Sequence, residues 1–362
     1  MMKQKNRLQT AVIITYVAVL LSLLVFAVYM GCTEHSSVYQ TRTTDQYNIV
    51  ENYTATTVED ASAPVGIRKE YRWTLTGITT TKNCLAFYFV HHYAEVRIGG
   101  ELVYSLTPGE NNRIGRSPGS NWVFIPLYLT DNGQEIQITV TPVYKSIVDR
   151  EITFKLGARS AILISRLKAD LPQILLSALC IFLGAALMIV QPCLIMRKKS
   201  ASWDLFYLGN FLLILGIWRI TDTRFSPIMF SENPMALGYI TIAALFIGSA
   251  PLLLFIKDRF SGRKKALLLL NVLAVCITAL FALICQVFQI AELRETLFLC
   301  HIMLLVSMAV ILFICLIHCR RQEGQADLRG LVLLLCGGAL MDLLFFYWKK
   351  APPASCFPWS RF

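Results

Sequence analysis

The sequence predicts a membrane protein of mixed β and α class: a β-sandwich between an N-terminal transmembrane helix and a six-helix transmembrane block. Two observations predict it. Six apolar runs follow one another between residues 171 and 348, each near the roughly 20 residues that a bilayer-spanning helix needs. Residues 31–168 instead carry short alternating segments rich in Thr, Val, Ile, Tyr and Phe, broken by Gly, Pro, Asn and Asp. Composition agrees, because 55% hydrophobic and 16% charged residues is too apolar for an ordinary soluble protein and too regularly grouped for a disordered one.

The six runs are 171–195, 203–220, 236–256, 266–288, 297–317 and 328–348. A soluble core helix shows an apolar stripe opposite a polar face, whereas "ALLLLNVLAVCITALFALICQVF" is apolar all round. At the start, residues 1–10 carry Lys3, Lys5 and Arg7, and residues 11–30 are uncharged. That is the pattern of an uncleaved signal anchor, since Tyr29, Met30, Gly31 and Cys32 offer neither a small-x-small cleavage site nor a good lipoprotein box.

The clearest strands of the β-domain are "EYRWTLTGI", "CLAFYFV", "AEVRIGG", "ELVYSL", "NWVFIPLYL" and "EIQITVTPVY". Gly99-Gly100 marks a hairpin turn, and Asp131-Asn132-Gly133 separates another pair. The pattern closes on itself and predicts a sandwich with its own core, joined to the helices by a short link. Cys32 and Cys84 allow one disulfide there, and the cysteines of the apolar runs contain no C-x-x-C pair and read as packing residues.

Orientation follows from the basic residues. With a cytoplasmic N-terminus, the breaks holding Arg197, Lys198 and Lys199, then Lys257, Arg259, Arg263, Lys264 and Lys265, then Arg320, Arg321 and Arg329 are cytoplasmic. The alternate breaks hold only Arg219, Arg224 and Arg294, and the β-domain is extracytoplasmic. The net charge of +11 is therefore topology, not nucleic-acid binding. The plasma membrane is the expected location. Residues 349–362, "KKAPPASCFPWSRF" from Lys349, form a short tail with no periodicity, left outside by the odd count of spans.

The segments "AEVRIGGELVYSL", "GSNWVFIPLYLTDNGQEIQITVTPVY", "LGIWRITDTRFSPIMF" and "GGALMDLLFFY" resemble bacterial seven-transmembrane receptors with diverse intracellular signalling modules, of the kind fused to a GGDEF diguanylate cyclase. The resemblance implies a galactose-binding-like, jelly-roll sandwich and a signal-sensing input module. No GGDEF string occurs in the chain, so the resemblance further implies the sensory half of a truncated diguanylate cyclase, with no enzymatic activity as it stands.

The candidate sites fall in two groups. Arg219 and Asp222 lie three apart near a helix end and can share a face, and with Asp342 they make a candidate intramembrane polar network. In the β-domain Tyr71, His91, His92, Tyr93 and Trp122 are candidates for ligand contact, because aromatic faces stack on sugars; Trp73 alternates as a core residue should. His91 and His92, adjacent in a strand, would point to opposite faces and so do not make a metal site. Asp204 sits where a carboxylate favours the helix dipole, and His301 stands alone as a packed residue. Phosphate-loop, nucleophile-elbow and zinc-protease motifs are absent, and neither cofactor nor metal is expected. The expected partners are membrane lipid, a small extracytoplasmic ligand such as a carbohydrate, and a second copy in a homodimer. The rival to a sensor is a small-molecule transporter or membrane-embedded transferase, although Pro172, Pro192 and Pro251 repeat at no common spacing.

Overall fold

A computed structural model of the chain describes residues 47–107, 115–197, 202–229, 234–257, 259–260, 262–319, 337–338 and 340–341. The predicted anchor at 11–30, Cys32, most of the sixth apolar run, Asp342 and the tail lie outside the described residues. All that is described belongs to one compact unit.

Nine strands make two facing antiparallel sheets: β1 (Tyr47–Ile49), β2 (Thr54–Glu59), β3 (Ile67–Thr74), β4 (Cys84–Val90), β5 (His92–Ile98), β6 (Glu101–Leu106), β7 (Ser120–Pro126), β8 (Glu135–Pro142) and β9 (Phe154–Gly157). One sheet runs β1-β9-β4-β7 and the other β2-β3-β8-β5-β6. In β8 the period-two pattern sends Ile136, Ile138 and Val140 into the core between the sheets, where they meet Leu85, Phe87, Phe89, Val123, Ile125 and Phe154. Gly99 and Gly100 both take positive φ at the β5–β6 hairpin, as the sequence predicts.

The near-continuous apolar run "CLAFYFV" has a different cause. Strand β4 is buried on both faces, because Ala86 on its outer side packs with Trp122 of β7 against Ile162 of the first helix. Tyr88, Phe124 and Ile228 complete this second layer. The sandwich thus closes on itself through its inner faces only; the outer face of β4 and β7 is completed by the helices.

The helices are α1 (Arg159–Met196), α2 (Asp204–Thr221), the short α3 (Ser226–Met229), α4 (Pro234–Ile247), α5 (Ser249–Lys257), α6 (Gly262–Val287) and α7 (Leu297–Cys319). With α4 and α5 forming one span, five spans among the described residues are long and apolar enough to cross a membrane, corresponding to five of the six predicted runs. α1 begins twelve residues before the predicted start at 171, so it enters the sandwich layer before it reaches the apolar run. Large apolar side chains cover the outside of the block, with Phe182 70% and Leu270 62% exposed, a surface suited to hydrocarbon and not to water. The break between α4 and α5 falls at Gly248, where Pro251 has no N–H to offer the carbonyl of Ile247.

Helices α1 and α2 approach to backbone contact through glycines. A Cβ on Gly184 would lie 2.6 Å from the carbonyl oxygen of Gly209, and one on Gly216 would lie 2.8 Å from that of Ser177. Small residues permit this closeness, and apolar helices in contact gain dispersion energy from it. Gly184→Leu is expected to cost at least about 3 kcal/mol, at the upper end of overpacking, because backbone cannot move aside. Gly238→Ala, which meets open space, should leave the melting midpoint unchanged or raised. Thermal melting of the purified chain in detergent compares the two.

Candidate functional site

The site lies where the sandwich meets the helices, and it starts from a sharp corner. His91 sits between β4 of one sheet and β5 of the other with φ of 56°, so it is a left-handed corner and not a strand residue as the sequence predicts. The corner is fixed by its backbone: His91 N–H donates to the carbonyl of Gly119 at 2.8 Å, and Val143 N–H donates to the carbonyl of His91 at 3.1 Å. The side chain turns toward the helices. Its Nε2 lies 2.9 Å from Nη1 of Arg294, in the loop between α6 and α7, and its Nδ1 lies 2.5 Å from Oγ of Ser117. A guanidinium can only donate, so Nε2 accepts and the ring proton is on Nδ1, which donates to Ser117. Burial first, then the Arg294 charge, pushes His91 down to about 3, which agrees with a neutral ring.

The same loop carries the second tie. Glu292 is buried, and its carboxylate accepts from the hydroxyl of Tyr144 and, at 2.6 Å, from the backbone N–H of Arg116. The Arg116 side chain adds a contact to Glu295 at 3.3 Å, but it is 65% exposed and contributes little. Gln286 Oε1, at the end of α6, accepts from Leu293 N–H, and within the loop Glu295 caps the N–H of Glu292, so the docking edge is held in shape from the helix side.

A third tie lies across the junction. Trp122 Nε1 donates to the carbonyl of Arg224 at 2.9 Å, and Asp170 of α1, paired with Arg166, accepts from Phe225 N–H at 2.9 Å. The segment after α2 is therefore pinned between sandwich and α1.

Beside these ties lies a cavity of about 840 Å³, within the ~300–1,000 Å³ range of small-molecule sites. Tyr88, Val90, His91, Ser120 and Arg150 line it from the sandwich. The end of α2 and the segment after it contribute Trp218, Arg219, Asp222 and Arg224, the loop contributes Arg294, and α4, α5 and α7 supply an apolar wall that includes His301.

The structure thus places the predicted residues in distinct settings. His91, Arg219 and Asp222 come together at the cavity. Trp122 supports its rim through Arg224. Tyr93 is buried beside it, its hydroxyl bonded to the carbonyl of Arg116. His92 is buried with Nδ1 unpartnered among the described residues, and burial pushes it down to about 4. Tyr71 lies in the sandwich core, edge-on to Tyr53 and Phe154, away from the cavity; Trp73 packs beside it. Asp204 stands in the first turn of α2, as expected. Cys84 is a buried free thiol, which burial pushes up to about 11. No cluster of three or more potential metal ligands occurs among the described residues.

Arg150, Arg294 and Glu292 were not singled out from the sequence. A signal for Arg294 existed: under the positive-inside rule, a basic residue on the sparsely charged side is an exception that asks for a reason. Comparison with protein-family models finds no match, and comparison with curated proteins finds no relative.

Glu292→Ala leaves the Tyr144 hydroxyl and the Arg116 N–H without their buried acceptor, a loss expected to cost about 3 kcal/mol and to open the junction before the sandwich melts. Hydrogen exchange at 115–119 against that in β8 distinguishes local opening from global unfolding. Both histidines are held below their unfolded value near 6.5, so the unfolded chain binds more protons at mildly acid pH. Their contribution is complete above about pH 6.5 and is lost as pH falls toward 4 and 3, about 2 kcal/mol per ring by pH 5. The melting midpoint should fall between pH 7 and 5, and His91→Asn, which tolerates the left-handed corner and does not titrate, should flatten that fall.

Proposed function

We propose that the chain is the signal-sensing input module of a multi-pass membrane receptor, with the sandwich extracytoplasmic and its ligand held at the junction with the helices. One observation carries this reading: a cavity is walled by both sandwich and helices, and His91, Arg224 and Arg294, which wall it, also take part in the contacts that tie the two together. A ligand touching both would favour one packing of the helices over another, which is how binding outside becomes a rigid-body shift inside.

Two further features support it. We read the order β1-β9-β4-β7 over β3-β8-β5-β6, with β2 extending an edge, as the four-over-four arrangement of a jelly roll, which supports a galactose-binding-like sandwich. The described basic residues Arg197, Lys257, Arg259, Arg263, Lys264 and Lys265 stand at helix ends opposite those that meet the sandwich, as expected if those ends are cytoplasmic. The link to a GGDEF-type diguanylate cyclase output rests on the resemblance in sequence.

A transporter is the second reading, favoured by the break at Gly248 and Pro251, which lies beside the cavity as interrupted helices do at transport sites.

A reporter fused after Lys199 or Lys265 is expected to read cytoplasmic, and one fused after Phe230 extracytoplasmic; the reverse pattern would sink the orientation. The sensing role is tested by hydrogen exchange on the full chain in nanodiscs, screened against sugars, amino acids and organic acids. A ligand of this receptor should slow exchange at 117–120 and 289–296 together. Protection confined to the outer strands of the sandwich would refute a junction site, and net uptake of the same ligand by proteoliposomes would decide for the transporter.

A further inference from the structure

Four guanidinium groups gather at the sandwich end of the cavity. Arg150 comes from the turn after β8, Arg219 and Arg224 from the end of α2 and the segment behind it, and Arg294 from the α6–α7 loop. Asp222 is the one carboxylate among the described lining residues. None of the four arginines forms an ion pair among the described residues, and Nε of Arg294 is buried without a partner. Arg150 is near enough to repel both Arg224 and Arg294. Burial and the Arg224 charge push the Arg150 guanidinium below its ordinary range, and burial and the Arg150 charge push Arg294 down to about 10.

Three of the four lie over aromatic rings, and beyond the bond that Arg294 donates to His91 none donates a side-chain hydrogen bond among the described residues. Arg224 lies over the ring of Tyr88 at 5.3 Å, Arg294 over Tyr144 at 5.6 Å and Arg219 over Trp218 at 5.3 Å. A ring face offsets part of the charge and engages none of the in-plane N–H donors. The face of Tyr88 that Arg224 covers is then not bare for a neutral sugar to stack on. Gathering unpaired positive charge in a partly dry space is unfavourable unless an anion completes it. The rest of the cavity has the opposite character: Phe211, Ile214, Leu215, Leu252, Leu304 and Met308 wall it with hydrocarbon between the helices.

We propose that the junction cavity takes an amphiphilic anion, with a carboxylate or phosphate head group held among Arg150, Arg224 and Arg294 and an apolar chain running between α2, α5 and α7. Guanidinium forks match the oxygens of either head group, and the apolar wall makes the tail part of the recognition. The proposal rests on the reading of this cavity as the ligand site and adds the class of ligand.

The full chain in neutral detergent is titrated with decyl phosphate and decanoate, with decanol as tail without charge, and with inorganic phosphate and acetate as heads without tail. Saturable binding and a rise of several degrees in melting midpoint are expected for the two amphiphilic anions alone. Arg150→Gln and Arg224→Gln, whose side chains donate no hydrogen bond among the described residues, should each weaken binding roughly tenfold or more. Without ligand, both variants should melt at the same temperature as the unaltered chain or higher, because repulsion is relieved. Undiminished binding of decyl phosphate to the Arg150→Gln/Arg224→Gln variant overturns the assignment, as does equal binding of decanol. Inorganic phosphate binding as tightly as decyl phosphate overturns the amphiphile in favour of a free anion. A neutral ligand from the exchange screen that protects both 117–120 and 289–296 would overturn the anion and leave the receptor standing. Silence of the junction toward every probe in both experiments overturns both readings.

Discussion

The junction depends on one buried carboxylate. Glu292 collects the Tyr144 hydroxyl and the Arg116 N–H, and a buried carboxylate persists only where such donors surround it. By fixing the start of the loop, it sets Arg294 against His91; by fixing Arg116, it steadies the segment that reaches Ser117 and Gly119. The corner at His91, the neutral state of its ring and the shape of the cavity mouth therefore share one anchor. The Trp122 and Asp170 contacts perform the same service on the other side.

The two halves of the cavity solve different problems. Its helical walls are side chains that any apolar block would supply. Its head is a set of positive charges in which Arg150 repels both Arg224 and Arg294, and this is the part of the molecule least explained by stability alone. A group of residues that lowers stability when empty gains a rationale once it is read as half of a complex.

Much of the architecture was legible in local pattern. Period-two alternation located β8, and unbroken apolar runs located five spans, because these signals arise within a few residues. The sequence places His91 beside His92 in a strand; the crossing between sheets is decided by Gly119 and Val143, which the local run does not contain. Tyr71 looked the same as a surface aromatic until its cross-sheet neighbour Phe154 was in view. The run in β4 implied burial on two sides without saying that the second side belongs to a helix. For the site, Arg219 and Asp222 stood out as charges at the end of an apolar run, whereas Arg150 and Glu292 are ordinary residues in polar turns until the fold brings them together.

The distances along the chain between junction partners have a consequence for biogenesis. Tyr144 and Glu292 are 148 residues apart, Arg116 and Glu292 are 176 apart, and His91 and Arg294 are 203 apart. During synthesis the sandwich strands are all made before α6 leaves the ribosome, so β4 and β7 exist for a time without their full set of helical neighbours. Contacts of such long range close late, after most of the loop entropy has been lost. The binding cavity would then be the last part of the molecule to be assembled, and a ligand present at that moment could act as a folding aid as well as a signal.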